Sequence, residues 1–122
     1  MNIKKWKNVL DCRRKERDIL KINFEFRKGI FFIRLIGDLN KDTYLKNENE
    51  LVELITLNKF KYVVINTNSL SSVDLTGINF ITKLYYLVNE NKSNLVICDK
   101  FKIISTLLNN NVPNIEDELE VL

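Results

Sequence analysis

The chain has 122 residues, of which 45% are hydrophobic and 29% are charged. This length and composition predict one globular domain with a hydrophobic core of its own, and they exclude a fibrous or wholly disordered chain. The sequence has no apolar run near the roughly 20 residues of a membrane-spanning helix, and no signal peptide is recognisable at its start. We therefore expect a single cytoplasmic domain.

The residue types on which most catalytic and metal sites depend are scarce. The chain has no His, three Gly and two Cys. This inventory argues against a four-ligand zinc site and against proton transfer by His, and three glycines do not supply a glycine-rich phosphate loop. Cys98 follows an apolar run and is predicted to be a buried strand thiol rather than a redox group. We expect no enzyme activity, no metal and no cofactor.

The formal net charge of +3 is distributed unequally along the chain. Residues 1–28 hold ten basic and four acidic side chains, whereas residues 29–122 hold nine basic and twelve acidic ones. We interpret residues 1–20 as a basic N-terminal arm or short helix and residues 21–122 as the folded domain. The alternative is that the arm contacts nucleic acid or a membrane surface. Acidic side chains interrupt its positive charge, and we do not expect such contact.

The first predicted elements are a hairpin and a helix. Apolar and polar residues alternate over residues 22–27, Lys28-Gly29 supplies a turn, and residues 30–36 are mostly apolar. This pattern predicts two paired strands. Asp42 or Thr43 is predicted to cap the helix that follows.

The second half of the chain alternates strands and helices. Its predicted elements, in chain order, are a strand at residues 62–65, a polar loop at 66–72, a helix ending near 89, a strand at 95–98, a helix at 101–109 and a final helical turn or two within 115–122. The resulting order β-β-α-β-α-β-α indicates an α/β domain, because helix-bearing crossovers join parallel strands.

Two short motifs resemble the signatures of a known family. Gly37-Asp38-Leu39-Asn40 is similar to the Gly-Glu-Leu-Asp element of STAS domains. Residues 70–78, Leu-Ser-Ser-Val-Asp-Leu-Thr-Gly-Ile, resemble the family signature in which an Asp-Ser-Ser-Gly-Leu stretch joins a strand to a helix. The resemblance spans about residues 22–122. It implies a STAS-like α/β fold, with a single mixed sheet of four to five strands and three to four helices packed mainly on one face.

Within that family, the chain most resembles the anti-sigma factor antagonists. The resemblance implies that the protein binds an anti-sigma factor, a serine/threonine kinase of GHKL type, and thereby frees a sigma factor. The resemblance also allows a phosphatase as a further partner. Thr76 then occupies the position that the kinase phosphorylates, in a switch loop with Asp74, Leu75 and Gly77. The chain departs from the pattern at Leu75, where Ser is usual, and at Thr76, where the usual acceptor is Ser.

The helix that begins near Thr76 is predicted to have two distinct faces. At 100° per residue, the apolar side chains that cluster on the buried face are Ile78, Ile81, Tyr85 and Val88. A polar stripe on the opposite face consists of Thr76, Asn79, Lys83 and Tyr86. Phe80 and Leu87 flank this stripe, either as exposed apolar anchors for a partner or as residues packed beneath a neighbouring helix.

Two other functions remain open. The protein could be a STAS regulatory or scaffold subunit bound stably to another protein, such as a transporter ATPase or a stress-signalling complex, with Thr76 purely structural. An enzyme would use Asp38, Asp42 or Asp74 as an acid or base, but the sequence pairs none of them with a nucleophile or a metal ligand.

Overall fold

The computed structural model describes residues 18–108 and 112–122. The predicted basic arm lies outside the described residues, apart from its last three positions. The elements, in chain order, are β1 (Leu20–Arg27), β2 (Ile30–Leu39), α1 (Leu45–Leu57), β3 (Tyr62–Val73), α2 (Leu75–Glu90), β4 (Asn94–Cys98), α3 (Ile103–Leu107), β5 (Asn114–Ile115) and a terminal 3₁₀ helix (Glu118–Val121).

The strands form one sheet in the order β1-β2-β3-β4-β5. β1 and β2 are antiparallel, and the two residues between them, Lys28 and Gly29, have φ angles of 54° and 81° that suit a tight hairpin turn. The pairs β2–β3, β3–β4 and β4–β5 are all parallel. The first two of these parallel connections contain α1 and α2, as helix-bearing crossovers require. The predicted hairpin and the predicted α/β fold class are confirmed.

The main hydrophobic core lies between the sheet and the helices. Leu51 and Ile55 of α1 and Ile81 and Leu84 of α2 are fully buried. They pack against side chains that alternate along the three central strands, such as Ile33 and Ile65. Because one side of each strand faces this layer, the helices cover one face of the sheet.

A smaller apolar cluster lies on the opposite face of the sheet. Its buried members are Ile30, Phe32, Val64, Val96 and Cys98. Ile115 and Val121 of the C-terminal segment pack against it. The Cys98 side chain is fully buried, and this burial raises the pKa of its thiol to about 11. The predicted buried strand thiol is therefore confirmed.

A charged network holds the C-terminal segment, residues 114–122, against that second face. The Glu118 carboxylate accepts two hydrogen bonds from the Arg34 guanidinium, at 2.8 and 2.7 Å, and one from Asn66 Nδ2 at 2.7 Å. Arg34 also donates to Glu25 at 2.7 Å. These hydrogen bonds hold the pKa of Glu118 below its usual value and raise the pKa of Arg34. The predicted final helical turn is the 3₁₀ helix.

The predicted polar loop at residues 66–72 is wrong, because β3 continues through it to Val73. The long strand β2 supplies the pairing partners, with Ile36 opposite Ser69 and Leu39 opposite Val73. Backbone pairing with a neighbouring strand therefore overrides the low strand propensity of these polar residues.

The predicted starts of two helices are also wrong. α1 begins at Leu45 rather than after a cap at Asp42 or Thr43, because the Thr43 hydroxyl is buried and donates to Asp38 O at 2.8 Å. α3 begins only at Ile103, because Lys102 has the left-handed φ of 58° and interrupts any helix from residue 101. Among the described residues, no helix is long and apolar enough to cross a membrane.

Candidate functional site

The start of α2 is fixed against the end of β2 by Asp74. Its backbone N–H donates to Leu39 O at 3.2 Å. Its carboxylate caps the helix by accepting from the Gly77 N–H at 2.8 Å, and it also accepts from the Lys41 N–H at 3.2 Å. Asp74 therefore joins the helix to the loop that follows β2, and both carboxylate oxygens are used in doing so.

Gly77 is required by the close approach of α2 to β2. A Cβ at this position would lie 2.6 Å from Leu39 O, 2.8 Å from Val73 Cγ2 and 2.9 Å from Leu39 Cγ. The first of these contacts is with backbone and cannot be relieved by rotating a side chain. The predicted switch-loop residues Asp74 and Gly77 thus have structural reasons for their identity, whereas Leu75 beside them is 75% exposed.

The loop after β2 is also held by hydrogen bonds. Buried Thr43 accepts from the Asn40 N–H at 3.0 Å, and Asn40 Oδ1 accepts from the Asp42 N–H at 2.9 Å. Asp38 accepts from the Ser72 hydroxyl at 2.6 Å, which joins the ends of β2 and β3.

Of the three carboxylates considered for acid–base chemistry, Asp38 and Asp74 thus act as hydrogen-bond acceptors within the fold. Among the described residues, no group of three or more His, Cys, Asp or Glu could hold a metal ion.

Thr76 lies in the first turn of α2 and is partly exposed. It borders a shallow depression of about 260 Å³ between α1 and α2. The other residues that line this depression are Tyr44, Glu48, Asn79, Phe80 and Lys83. The Thr76 side chain is therefore directed to the surface between the two helices and not into the core.

The polar stripe predicted from the sequence runs along the surface of α2. Asn79 and Lys83 are exposed, and Tyr86 is 53% exposed. Lys83 forms an ion pair with Glu48 of α1 across the depression. A second depression, of about 370 Å³, continues from Lys83 and Tyr86 toward partly buried Leu87. The four stripe residues thus share one surface.

Phe80 does not present an exposed anchor, so that interpretation is corrected. Its side chain is only 3% exposed, and its ring lies 5.7 Å from that of Tyr44, centroid to centroid. Phe80 is therefore buried, as in the alternative that it packs beneath a neighbouring helix, but the ring that covers it belongs to Tyr44, the residue just before α1. Tyr85, which the helical periodicity assigned to the buried face, is only partly buried.

Sequence reasoning missed two residues of this surface, Tyr44 and Glu48. Both come from the segment at the start of α1, and their approach to α2 depends on how the two helices pack. The signal that could have indicated Glu48 is its position three residues before buried Leu51 and seven before buried Ile55. A carboxylate on that side of a helix needs a cationic or hydrogen-bonding partner.

Comparison with known proteins identifies the family. The model of the STAS domain matches residues 21–110. An anti-sigma F factor antagonist of Paenibacillus polymyxa is 26% identical over 80 residues, which are 66% of this chain and 68% of that protein.

Solved structures of the same class share the fold. The unphosphorylated anti-sigma factor antagonist SpoIIAA superposes with a TM-score of 0.70 at 13% identity, covering 83% of this chain and 93% of that one. An anti-sigma factor antagonist from Mycobacterium paratuberculosis gives 0.68 at 14% identity, covering 84% and 91%. The phosphorylated form of the Bacillus protein SpoIIAA gives 0.61 at 13% identity, covering 83% and 96%. With its five-stranded mixed sheet and its match over residues 21–110, the chain belongs to the STAS domain family.

Proposed function

We propose that the protein is an anti-sigma factor antagonist, which binds an anti-sigma factor that is a GHKL-type serine/threonine kinase and so frees a sigma factor. In this proposal the kinase phosphorylates Thr76, which ends binding, and a phosphatase restores it. The observation that carries the proposal is the partly exposed Thr76 in the first turn of α2, beside the exposed Leu75. The protein acts by recognition and performs no reaction of its own.

The binding surface in this proposal is the polar stripe with its apolar neighbours. Asn79, Lys83 and Tyr86 provide polar contacts, while Leu75 and Leu87 provide apolar ones at either end. Exposed apolar side chains surrounded by polar groups are typical of protein-binding surfaces. Phe80 supports this surface from below through its contact with Tyr44.

The local chemistry supports a switch that acts at the surface. A phosphate adds about −1.5 to −2 charges at neutral pH. At the start of α2 the helix dipole favours that negative charge, so the fold should tolerate it. Asp74 is already engaged as a cap, and Lys83 across the depression is already paired with Glu48. The added phosphate therefore concentrates negative charge and bulk on the surface that the partner must contact.

The test is to measure binding of Thr76 variants to the GHKL-type kinase encoded by the same genome. We expect Thr76→Asp to fold normally and to lose at least tenfold in affinity by calorimetry, whereas Thr76→Val should bind but incorporate no phosphate. Thr56→Asp is a matched control, since Thr56 is an exposed threonine on α1 whose hydroxyl donates to Val52 O and Glu53 O of the same helix. Undiminished binding by Thr76→Asp would remove the switch.

A stable regulatory or scaffold subunit is the second candidate, and a particular surface favours it. Three residues around α3, Phe101, Ile103 and Leu107, are 76%, 58% and 52% exposed. A permanently bound partner, such as a transporter ATPase or a stress-signalling complex, would cover them. In that case partner binding would be lost with Phe101→Ser and unaffected by Thr76→Asp, which is the opposite of the result expected above.

A further inference from the structure

The two edges of the sheet differ in how much backbone they expose. At one edge, β5 has two residues and is followed, after two more, by the 3₁₀ helix. At the other edge, β1 has eight residues and no neighbour other than β2 among the described residues. A long unpaired edge strand is a template for pairing with another strand. β1 is therefore the edge at which a further strand can add.

The outward-facing backbone groups of β1 are identified by its pairing with β2. The Ile19 carbonyl accepts from the Asp38 N–H at 2.9 Å, so residue 19 is directed toward β2. In an antiparallel pair, alternate residues direct both of their backbone groups to the same side. The residues that direct their N–H and C=O groups away from β2 are therefore Leu20, Ile22, Phe24 and Phe26.

β1 lacks the features that usually prevent edge pairing. It contains no Pro, and its register with β2 is continuous from Leu20 to Arg27 without a bulge. Its apolar side chains also remain accessible, since Phe26 is 60% exposed and Ile22 and Phe24 are only partly buried. Within the part of the chain that the structure describes, charged side chains are the one protective feature of β1, and they have both signs.

The charges of β1 are complementary to a second β1 in one antiparallel register. With a two-fold axis at Asn23, Lys21 of each copy lies opposite Glu25 of the other. The outward-facing residues then meet as hydrogen-bonded pairs, Ile22 with Phe24 and Leu20 with Phe26. If the axis moves to Phe24, Lys21 instead lies opposite Arg27, and like charges directly opposite one another are destabilising. If it moves to Ile22, Lys21 faces Asn23 and the ion pairs are lost.

We propose that β1 pairs with β1 of a second copy about Asn23, so that two five-stranded sheets join into one homodimeric sheet of ten strands. Leu20 of one copy then lies beside Phe26 of the other. The start of α2 lies at the Leu39 end of β2, which is also the Leu20 end of β1. The two-fold axis therefore places the two Thr76 surfaces at opposite ends of the dimer, where both remain accessible.

The first test uses paired charge reversals in the full chain. By sedimentation velocity, the wild type should reach twice its 14.4 kDa mass as concentration rises. Lys21→Glu alone and Glu25→Lys alone should each remain monomeric, because each places like charges opposite each other twice. Glu25→Lys also breaks the ion pairs of Glu25 with Arg34 and Arg27 of its own chain, so Lys21→Glu is the decisive single variant. An equimolar mixture of the two variants should regain the dimer, since both cross-strand pairs are again of opposite sign. Lys46→Glu on α1 makes the same charge change away from β1 and should dimerise like the wild type.

The second test examines the register directly. Asn23→Cys in a Cys12→Ser background should form an inter-chain disulfide under mild oxidation, because non-hydrogen-bonded pairs have Cα atoms about 4.5 Å apart. Glu25→Cys should not, since it lies opposite Lys21. A wild-type monomer at all concentrations, or a dimer that Lys21→Glu leaves intact, overturns the proposal. Neither test includes the kinase, so its failure is distinct from a failure of the Thr76 switch.

Discussion

At the scale of single residues, the neighbours Thr76 and Gly77 of α2 lie in opposite environments. Gly77 faces β2 at a distance that leaves no room for a methyl group, whereas Thr76 faces the depression between the helices. The Asp74 cap fixes the helical phase of both. The close packing of α2 against β2 thus requires Gly77 to be small and also directs the Thr76 hydroxyl to the surface.

Gly77→Ala should destabilise the protein even though Ala favours helix by about 1 kcal/mol over Gly. The added Cβ meets the Leu39 carbonyl at 2.6 Å, so α2 must move away from β2. Overpacking of this kind typically costs about 1–3 kcal/mol, and we expect a net loss in the free energy of unfolding by chemical denaturation. Asn79→Ala, at an exposed position in the same helix, is the control and should cost little. Equal stability of the two variants would contradict the close approach.

How far the site could be predicted also depends on single residues. Thr76 was identified through its resemblance to a family motif, and its orientation followed from helical periodicity alone. The burial of Phe80 did not follow from periodicity, because it depends on the Tyr44 ring that covers it. Contacts between two helices are set by their packing, which the spacing within one helix does not determine.

Among the strands and helices, features with a local cause could be predicted from the sequence, and features that depend on long-range contacts could not. The β1–β2 hairpin was predictable because Lys28 and Gly29 are local turn signals. The length of β3 was not, because its polar half is paired by β2 rather than by its own propensity. The position of the C-terminal segment was also unpredictable, since Glu118 and Arg34 are 84 residues apart in sequence.

Glu118→Gln should test how much the C-terminal segment depends on that ion pair. Arg34 and Asn66 lower the pKa of Glu118 in the folded state. The ion pair therefore stabilises the fold at pH values above about 4.3, the pKa of Glu in the unfolded chain. This stabilisation is lost as the pH falls through the lower pKa that Glu118 has in the folded state. The variant should cost roughly 1–2 kcal/mol at neutral pH. The difference from wild type should vanish on acidification, as followed by urea unfolding at several pH values. Glu116→Gln, an exposed neighbour, should show no such pH-dependent difference.

At the level of the whole molecule, the start of the folded unit can be located more closely than the sequence alone allows. The STAS match begins at residue 21, and β1 begins at Leu20. Ile19 already contributes a hydrogen bond to Asp38. We therefore propose that the folded unit starts one or two residues before the boundary at 21 expected from sequence.

A chain that begins at Asp18 should keep its partner binding if recognition resides on α2. The deletion removes seven basic and two acidic residues, which changes the formal net charge from +3 to −2. It removes no residue of the polar stripe, and it keeps the Asp74 hydrogen bonds and the Lys83–Glu48 ion pair. Calorimetry against the kinase at two salt concentrations should give an affinity within about threefold of the full chain. Screening weakens interactions between exposed charges beyond about 8–10 Å at physiological salt. A contribution from the basic arm would therefore appear as a loss of affinity on deletion that is large at low salt and small at high salt, and that result would move the binding surface from α2 to the arm.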